Sequence, residues 1–292
     1  MDLQFLFNEQ IREICELSPG YEDHASDVWL VKTENQEAVV RSSRMTDEPD
    51  NDFWWGCKKL FGIDPRDVYQ LESVNNVLSE ISSLPIPRVI KKTESSRQFV
   101  VVEKLEGHTV KDFLGQPPSV LQSLGEGLAR IHKNKRDYVG SPSGIFKVGL
   151  MDSHKHLING MTELVSKFYS NQYKIKDKLP AILKLLKNLP APNSSTFVLI
   201  DIDPSQFLSN NKVITGLVDT EAYVIAPREF DFIGLEYILD EKSAEDFKMG
   251  YERVMEIPNL HQCRLPYRYL YRLLSVQGSV DLDEWLNHKK LF

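Results

Sequence analysis

The sequence predicts an α+β fold in which a small mixed sheet lobe is followed by a larger, mostly helical lobe. Strand-like apolar runs separated by turns dominate up to about residue 103, and helical apolar periodicity dominates from about residue 109. Two short apolar strands, at residues 197–200 and 213–218, interrupt the later helices. A chain of 292 residues is longer than an average domain and suits two lobes around a cleft. We therefore expect an N-terminal lobe at residues 1–104 and a C-terminal lobe at residues 105–292.

The small lobe is predicted to begin with an amphipathic helix at residues 3–16, where charged residues interrupt the apolar ones. Residues at about 45–67 are interpreted as an insert. Its adjacent Trp54 and Trp55 favour packing into a core over a lid on the site. The other elements expected in this lobe are strands at 26–32, 37–42, 88–90 and 99–103 and a helix at 68–83.

The larger lobe is expected to follow a connection at residues 103–107. One of its helices, at residues 179–189, has an apolar stripe that includes Ile182 and Leu186, with lysines on the other face. The other helices expected are at 109–114, 119–133, 155–173, 229–239, 243–255, 266–276 and 281–289.

Bulk properties exclude several classes of protein. The formal net charge of −7 gives no basic surface for nucleic acid, and 41% hydrophobic with 26% charged residues is ordinary for a globular protein. Cys15, Cys57 and Cys263 are far apart, which is typical of reduced thiols rather than disulfides or a metal cluster. No stretch is long and apolar enough to cross a bilayer, and the N-terminus does not resemble a signal peptide. We therefore expect a cytoplasmic protein that binds neither nucleic acid nor membrane.

The two short strands carry the residues with the clearest chemistry. The first delivers Asp201 into a loop, the amide of Gln206 follows five residues later, and the second strand ends on Asp219. If the two strands form a hairpin, both carboxylates lie at the same end of it. One carboxylate could then accept a proton from a substrate hydroxyl. The amide and the second carboxylate could hold Mg²⁺ on the phosphates of a nucleotide.

This segment resembles the catalytic core of the aminoglycoside phosphotransferase and choline kinase families, small-molecule kinases with a protein-kinase-like fold. Their pattern is His-Gly-Asp, four residues, Asn, and then an Ile-Asp-Trp/Phe-Glu-like run after a hairpin. By this resemblance Asp201 is the catalytic base. Gln206 and Asp219 are the Mg²⁺ ligands, and Glu221 stands where the family often has an acidic residue.

The chain departs from the family pattern at two places. Leu199 and Ile200 replace His-Gly, and because that histidine mainly supports the loop, we expect the change to be tolerated. Gln206 keeps the amide oxygen of asparagine but is longer by one methylene group. The difference matters because Mg²⁺ requires near-octahedral oxygen ligands at about 2.1 Å.

The resemblance covers about residues 20–255 and implies residues that hold the nucleotide phosphates. Arg41 in the strand Ala-Val-Val-Arg matches the basic residue that holds the α- and β-phosphates. Glu72 matches the helical glutamate that pairs with this basic residue, with Asp67 and Glu80 as alternatives.

Two further contacts with the nucleotide are implied. The loop that covers the phosphates is expected near residues 19–26, where Ser26 could donate a hydrogen bond to a phosphate oxygen. Backbone groups around Glu103 and Leu105 match the segment that binds adenine between the lobes. These residues make the N-terminal lobe the nucleotide-binding one.

His132 and Asp231 are interpreted as structural residues. His132 ends a predicted buried helix, and the base role already belongs to Asp201. Asp231 lies in a run that resembles the family's Tyr-Asp-Leu element, whose aspartate supports the catalytic loop.

The function implied is phosphorylation of a small-molecule hydroxyl group by ATP, or GTP, with Mg²⁺, and Asp201 as base. The acceptor classes implied are amino sugars, aminoglycosides, choline-like compounds and related alcohols. The sequence does not predict which of them is used, nor the oligomeric state.

Two alternatives come from other classes of protein. Leu199, Gln206, Arg41 and a loop poor in glycine also fit a catalytically impaired pseudokinase that acts as a nucleotide-binding or scaffold protein. The second alternative is a non-nucleotide hydrolase or binding protein that uses Asp201, Asp203 and Asp219 as a bare metal site, although Pro204 interrupts the strand that would align the first two.

Overall fold

The structure is a computed structural model that describes residues 2–17, 25–94 and 97–292. Of the loop predicted at residues 19–26, only Ala25 and Ser26 lie among the described residues. The small lobe contains a five-stranded antiparallel sheet with the order β1-β2-β3-β5-β4. Its strands are β1 (Glu13–Glu16), β2 (Ser26–Lys32), β3 (Glu37–Ser43), β4 (Val89–Glu94) and β5 (Gln98–Glu103).

The helix predicted at residues 3–16 is wrong. This segment contains a short 3₁₀ turn, Gln4–Leu6, followed by β1, which pairs antiparallel with β2 from Glu13–Lys32 to Glu16–Trp29. Leu3 and Leu6 are buried against the sheet, whereas all four residues of β1 are exposed. Backbone pairing with the open edge of β2 therefore replaces the helix, because the apolar face is only one turn long.

The predicted insert forms helix α1 (Asp52–Phe61). Asn51 caps its N-terminus by accepting a hydrogen bond from the Trp54 N–H at 2.8 Å, and Gly62 ends it with a left-handed φ of 68°. Trp54 is buried in the core, which agrees with the interpretation of core packing, whereas Trp55 is only partly buried against the same core. Helix α2 (Gln70–Ile81) follows, close to its predicted position.

The larger lobe is mainly helical, as predicted. Its helices are α3 (Pro118–His132), α4 (Leu150–Phe168), α5 (Tyr173–Asn188), α6 (Glu229–Ile238), α7 (Glu241–Tyr251), α8 (Arg264–Leu273) and α9 (Leu282–Leu286). Its strands are β6 (His108–Thr109), β7 (Tyr138–Gly140), β8 (Lys147–Gly149), β9 (Thr196–Leu199), β10 (Phe207–Ser209), β11 (Ile214–Leu217) and β12 (Tyr223–Ala226). They form two sheets, with the orders β11-β10-β6 and β8-β7-β12-β9.

The helix predicted at residues 109–114 is also wrong. The N–H of Val110 instead donates to the carbonyl of Phe207 at 2.9 Å, which extends the pairing of β6 with β10. Strands β7, β8, β10 and β12 were not predicted, because runs of three or four residues are too short to show a period of two.

Two glycines allow α3 and α7 to pack at very close range. A Cβ atom on Gly250 would lie 1.9 Å from the Gln122 carbonyl oxygen, and one on Gly125 would lie 2.2 Å from that of Phe247. This contact sets the C-terminal end of α7 against the first half of α3, and from there the hydroxyl of Tyr251 reaches His132 Nδ1 at 2.9 Å. No helix in the described part of the chain is both long and apolar enough to span a membrane.

Candidate active site

The predicted hairpin between the two strands that carry the aspartates is wrong. β9 pairs with β12, and β11 pairs with β10, so the two strands belong to different sheets. The 3₁₀ turn Pro204–Gln206 redirects the chain after Asp201, and β10 runs from it. A hydrogen bond of 2.8 Å from the Val218 N–H to the Gln206 carbonyl joins the two segments. Asp201 and Asp219 therefore come together across two sheets.

The carboxylate of Asp201 is half-buried and makes no hydrogen bond to any residue that the structure describes. Burial, and then the charges of Asp203 and Asp219, raise the pKa of Asp201 to about 7. A general base works best when its pKa lies near the working pH. The unpaired carboxylate and its raised pKa make Asp201 a candidate proton acceptor.

The backbone that positions Asp201 is held by a buried network. The Leu199 N–H donates to Asp231 at 2.9 Å, and the other oxygen of Asp231 contacts His132 Nε2 at 2.8 Å. The Nδ1 atom of His132 lies 2.9 Å from the hydroxyl of Tyr251. The hydrogen bond to Asp231 comes from the backbone N–H of Leu199, so the apolar side chain of this residue can be buried without weakening that bond. The structural interpretation of His132 and Asp231 agrees with these contacts.

Gln206 is buried and closes the loop that begins at Asp201. Its side-chain oxygen accepts from the Asp203 N–H and its side-chain nitrogen donates to the Asp201 carbonyl, both at 2.8 Å. The carboxylate of Asp203 in turn accepts from the N–H of Ser205 at 2.8 Å. One lone pair of the Gln206 oxygen is used, and an amide oxygen has two. The longer side chain thus spans the turn, and its oxygen keeps the capacity for a second ligand.

Asp219, Arg41 and Glu221 form an ion-pair cluster, and its Asp219 is close enough to Asp201 to raise the pKa of that carboxylate. Arg41 Nη2 lies 2.7 Å from Asp219 Oδ1 and 3.0 Å from Glu221 Oε1. Asp219 itself has a left-handed backbone, with φ of 57°, and its side chain is 47% exposed. Both oxygens of Glu221 lie 3.0 Å from the hydroxyl of Ser26. The predicted phosphate contact of Ser26 therefore competes with a hydrogen bond that its hydroxyl already donates.

The predicted pairing of Glu72 with Arg41 is wrong. Glu72 forms an ion pair with Lys92 on β4. The alternatives also fail as partners, since Asp67 accepts from Gln70 and Glu80 is exposed.

The buried face of α2 presents an amide in place of an acid. Asn75 accepts a hydrogen bond from the hydroxyl of Thr220 and donates one of 2.8 Å to the Pro87 carbonyl. The helix is therefore joined to the Asp219 loop through neutral groups. No sequence pattern marked Asn75 for this role.

The predicted adenine-binding segment lies at the end of β5. The Glu103 N–H donates to the Arg88 carbonyl at 2.9 Å, and its carboxylate lies 3.2 Å from Arg88 Nε. Two residues later, the backbone N–H and C=O of Leu105 have no hydrogen-bond partner among the described residues. A segment with free backbone groups in this position can recognise the edge of a planar base.

Comparison with known proteins places the chain in a family. A family model described as the phosphotransferase enzyme family (APH) matches residues 16–265. The chain belongs to this family. No curated protein sequence matches the chain.

Solved structures confirm the α+β, protein-kinase-like fold of this APH family member. It resembles an aminoglycoside 2′-phosphotransferase-IIIa mutant in complex with GDP, with a TM-score of 0.65 and 15% identity over 94% of this chain and 86% of that one. Macrolide 2′-phosphotransferase MphH from Brachybacterium faecium gives a TM-score of 0.61 and 12% identity over 99% and 97% of the two chains. A mutant of the aminoglycoside phosphotransferase APH(4)-Ia with ADP and hygromycin B gives a TM-score of 0.62 and 15% identity over 94% of this chain and 88% of that one.

Proposed function

We propose that this APH family member transfers a phosphoryl group from ATP, or GTP, to a hydroxyl group of a small molecule in the presence of Mg²⁺. The proposal rests on the state of the Asp201 carboxylate: it is unpaired among the described residues, and its pKa is raised to about 7. It lies at the edge of a cluster that contains Arg41 and Asp219, the residue types that phosphoryl transfer requires.

Asp201 orients the acceptor hydroxyl group and takes its proton. In a loose transition state the nucleophile needs little activation, so correct placement accounts for most of the rate. The contacts of Leu199 with Asp231 and of Gln206 with the Asp201 carbonyl fix the backbone on both sides of this carboxylate. The rigid loop thus provides the placement.

The cluster supplies the charges that a nucleotide needs. The Nε of Arg41 is buried without a hydrogen-bond partner in the described part of the chain, and an anionic group would satisfy such a donor. Asp219 and Gln206 would hold Mg²⁺, since a half-exposed carboxylate and an amide oxygen with a spare lone pair are the hard donors that the ion prefers. When bound, the ion neutralises charge on the phosphates.

The base of the nucleotide is assigned to the segment at Glu103 and Leu105. Its support is the free backbone of Leu105 and the likeness to structures that contain GDP and ADP. Both purines present a donor and an acceptor to such a backbone, so ATP and GTP are both candidates.

For the acceptor we propose an amino sugar, an aminoglycoside, a choline-like compound or a related alcohol. The support is the family and the likeness in fold to enzymes named for aminoglycosides, macrolides and spectinomycin. A net charge of −7 also favours the approach of cationic molecules.

A pseudokinase is the second candidate, and one contact favours it. Arg41 neutralises Asp219, the proposed metal ligand, in the structure as it stands. If this pair persists in the presence of nucleotide and Mg²⁺, the protein binds a nucleotide weakly or not at all.

A thermal-shift measurement with ATP and with GTP, each with Mg²⁺ and with EDTA, separates the two candidates. A ligand that binds only the folded state at a hundred times its Kd stabilises it by about 2.7 kcal/mol. A shift that depends on Mg²⁺, followed by acceptor-dependent release of ADP or GDP, supports the phosphotransferase. No shift at millimolar nucleotide supports the pseudokinase.

A further inference from the structure

Arg41 has two acidic partners that differ in how firmly they are held. The Nη2 atom contacts both Asp219 and Glu221, at 2.7 and 3.0 Å. The side chain of Asp219 is 47% exposed, whereas that of Glu221 is 20% exposed and receives the hydroxyl of Ser26 on both of its oxygens. Glu221 is therefore the partner that the surrounding structure fixes in place.

The two acids also differ in their roles in the proposed reaction, since only Asp219 is a proposed ligand of Mg²⁺. A ligand of Mg²⁺ must turn its oxygens towards the ion, so Asp219 has to give up its contact with Arg41 when nucleotide and ion bind. Glu221 lies two residues further along the chain, on the 3₁₀ turn Thr220–Ala222, and its contact with Ser26 can remain. Only Glu221 can hold the guanidinium in both states.

Helix α2 supplies no acid for this task among the described residues. Glu72 is paired with Lys92, and the buried position that faces the Asp219 loop is Asn75, which binds Thr220. An uncharged amide cannot neutralise Arg41. The same contact does fasten α2 to the residue next to Glu221, which stiffens the turn that carries it.

We propose that Glu221 is the positioning residue of Arg41 and holds its guanidinium in the orientation that contacts the nucleotide phosphates. The inference rests on the proposed function. Arginine suits the arrangement because a planar guanidinium can bind one carboxylate through one nitrogen and still present its other N–H groups to phosphate. In this chain the acid therefore comes from the loop after β11, and Ser26 on β2 fixes it.

The first test compares ligands that differ only in their phosphates. With Mg²⁺ present, Glu221→Gln is expected to weaken ADP binding about tenfold or more and to leave adenosine binding unchanged. Ser26→Ala, a milder change that preserves all charges, is expected to weaken ADP binding a few-fold with adenosine again unchanged. Glu72→Gln makes the same chemical change at the glutamate on α2. Wild-type affinity for ADP in Glu221→Gln, an equal loss for adenosine, or a tenfold loss in Glu72→Gln would overturn the proposal.

The second test needs no nucleotide. In a double-mutant cycle of Arg41→Met with Glu221→Gln, the two effects on the unfolding equilibrium constant are expected to be non-additive by about tenfold, because the residues are in contact. The cycle of Arg41→Met with Glu72→Gln is expected to be additive. Additive effects for Arg41 and Glu221 would overturn the pairing.

The two tests separate this proposal from the proposed function. If the wild-type protein binds neither ADP nor ATP, the phosphotransferase proposal fails, and the role of Glu221 towards phosphate fails with it. If the wild type binds ADP but the cycle and the Glu221→Gln variant show no effect, only the assignment of Glu221 fails. Should Glu221→Gln not fold, Ser26→Ala and Glu221→Asp provide the same ADP and adenosine comparison.

Discussion

Asp219 and Arg41 are joined by a hydrogen bond of 2.7 Å, so the proposed metal ligand and the proposed phosphate ligand neutralise each other. Neither residue can take up its ligand fully while this contact lasts. Mg²⁺ and the nucleotide phosphates are therefore expected to bind together, each releasing the residue that the other needs.

Asp219→Asn tests this exchange. The variant is expected to lose the part of the nucleotide-induced thermal shift that depends on Mg²⁺, because it lacks the anionic ligand. In EDTA its shift is expected to equal or exceed that of the wild type, because Arg41 is freed for phosphate. Asp177→Asn, at an exposed position on α5, is the matched control. A Mg²⁺-dependent shift of wild-type size in Asp219→Asn would remove Asp219 from the metal site.

Asp201→Asn is expected to lower kcat by about 10²–10⁴-fold and to leave nucleotide affinity close to that of the wild type. Asparagine keeps the shape of the side chain but cannot accept the proton of the acceptor hydroxyl. Turnover by coupled ADP release and affinity by titration check the two parts. Turnover near the wild-type rate would exclude Asp201 as the base.

The same substitution has a predicted effect on stability that depends on pH. The pKa of Asp201 is about 7 in the folded protein, whereas a carboxyl group of this type in an unfolded chain titrates near 4. The folded wild type therefore loses stability as the pH rises from about 4 to about 7, because the carboxylate must then be charged. Asp201→Asn escapes this loss. Relative to the wild type, its free energy of unfolding is expected to gain on the order of 1–3 kcal/mol between pH 4 and pH 8.

Urea unfolding at pH 4 and at pH 8 measures this gain. Asp203→Asn is an informative comparison, since Asp203 contributes to the raised pKa of Asp201. A difference between wild type and Asp201→Asn that is the same at both pH values would show that the pKa is not raised.

Asp231→Ala is expected to lower the free energy of unfolding by about 2–4 kcal/mol. The substitution leaves His132 and the Leu199 N–H buried without their partner, and unpaired buried polar groups are costly. Tyr251→Phe removes the hydroxyl that contacts His132 and Arg228 at the edge of the network, and it is expected to cost about 1 kcal/mol. Equal effects of the two variants in urea unfolding would contradict the central position of Asp231.

Gln206→Asn restores the residue type of the family pattern. It is nevertheless expected to lower both kcat and stability, the latter by about 1 kcal/mol, because asparagine is too short to contact both the Asp203 N–H and the Asp201 carbonyl. Activity and urea unfolding are measured on the same preparation. A higher kcat in the variant would mean that metal geometry, not loop closure, limits the wild type.

Features with strong local signals were predictable from the sequence. The strand 197–200 is continuously apolar because it lies in the core, and the positions of Arg41, Asp201 and Asp219 followed from short motifs. Helix α2 was predictable because its apolar residues recur with helical spacing and the side they form is buried.

Contacts between distant segments were not predictable in the same way. Arg41 and Glu221 are 180 positions apart, and nothing in either local sequence says that they pair. The pairing of β9 with β12 was missed because β12 has only four residues and all are buried, so no alternation marks it as a strand. The N-terminal helix was wrong because an open sheet edge, which the local sequence does not reveal, competed for its backbone.

Helix α1 connects the surroundings of Asp201 to the packing of the larger lobe. Burial raises the pKa of the Cys57 thiol, and the nearby charge of Asp201 raises it further. On the same helix, Asp52 accepts hydrogen bonds from Ser275, at 2.6 Å, and from Tyr169. A surface loop beside the reacting hydroxyl could change freely between relatives. Because a core helix lies near Asp201 instead, a substitution there that changes acceptor preference also changes folding stability. Variants selected for a new acceptor are therefore expected to need compensating substitutions elsewhere in the core before they accumulate to useful levels in a cell.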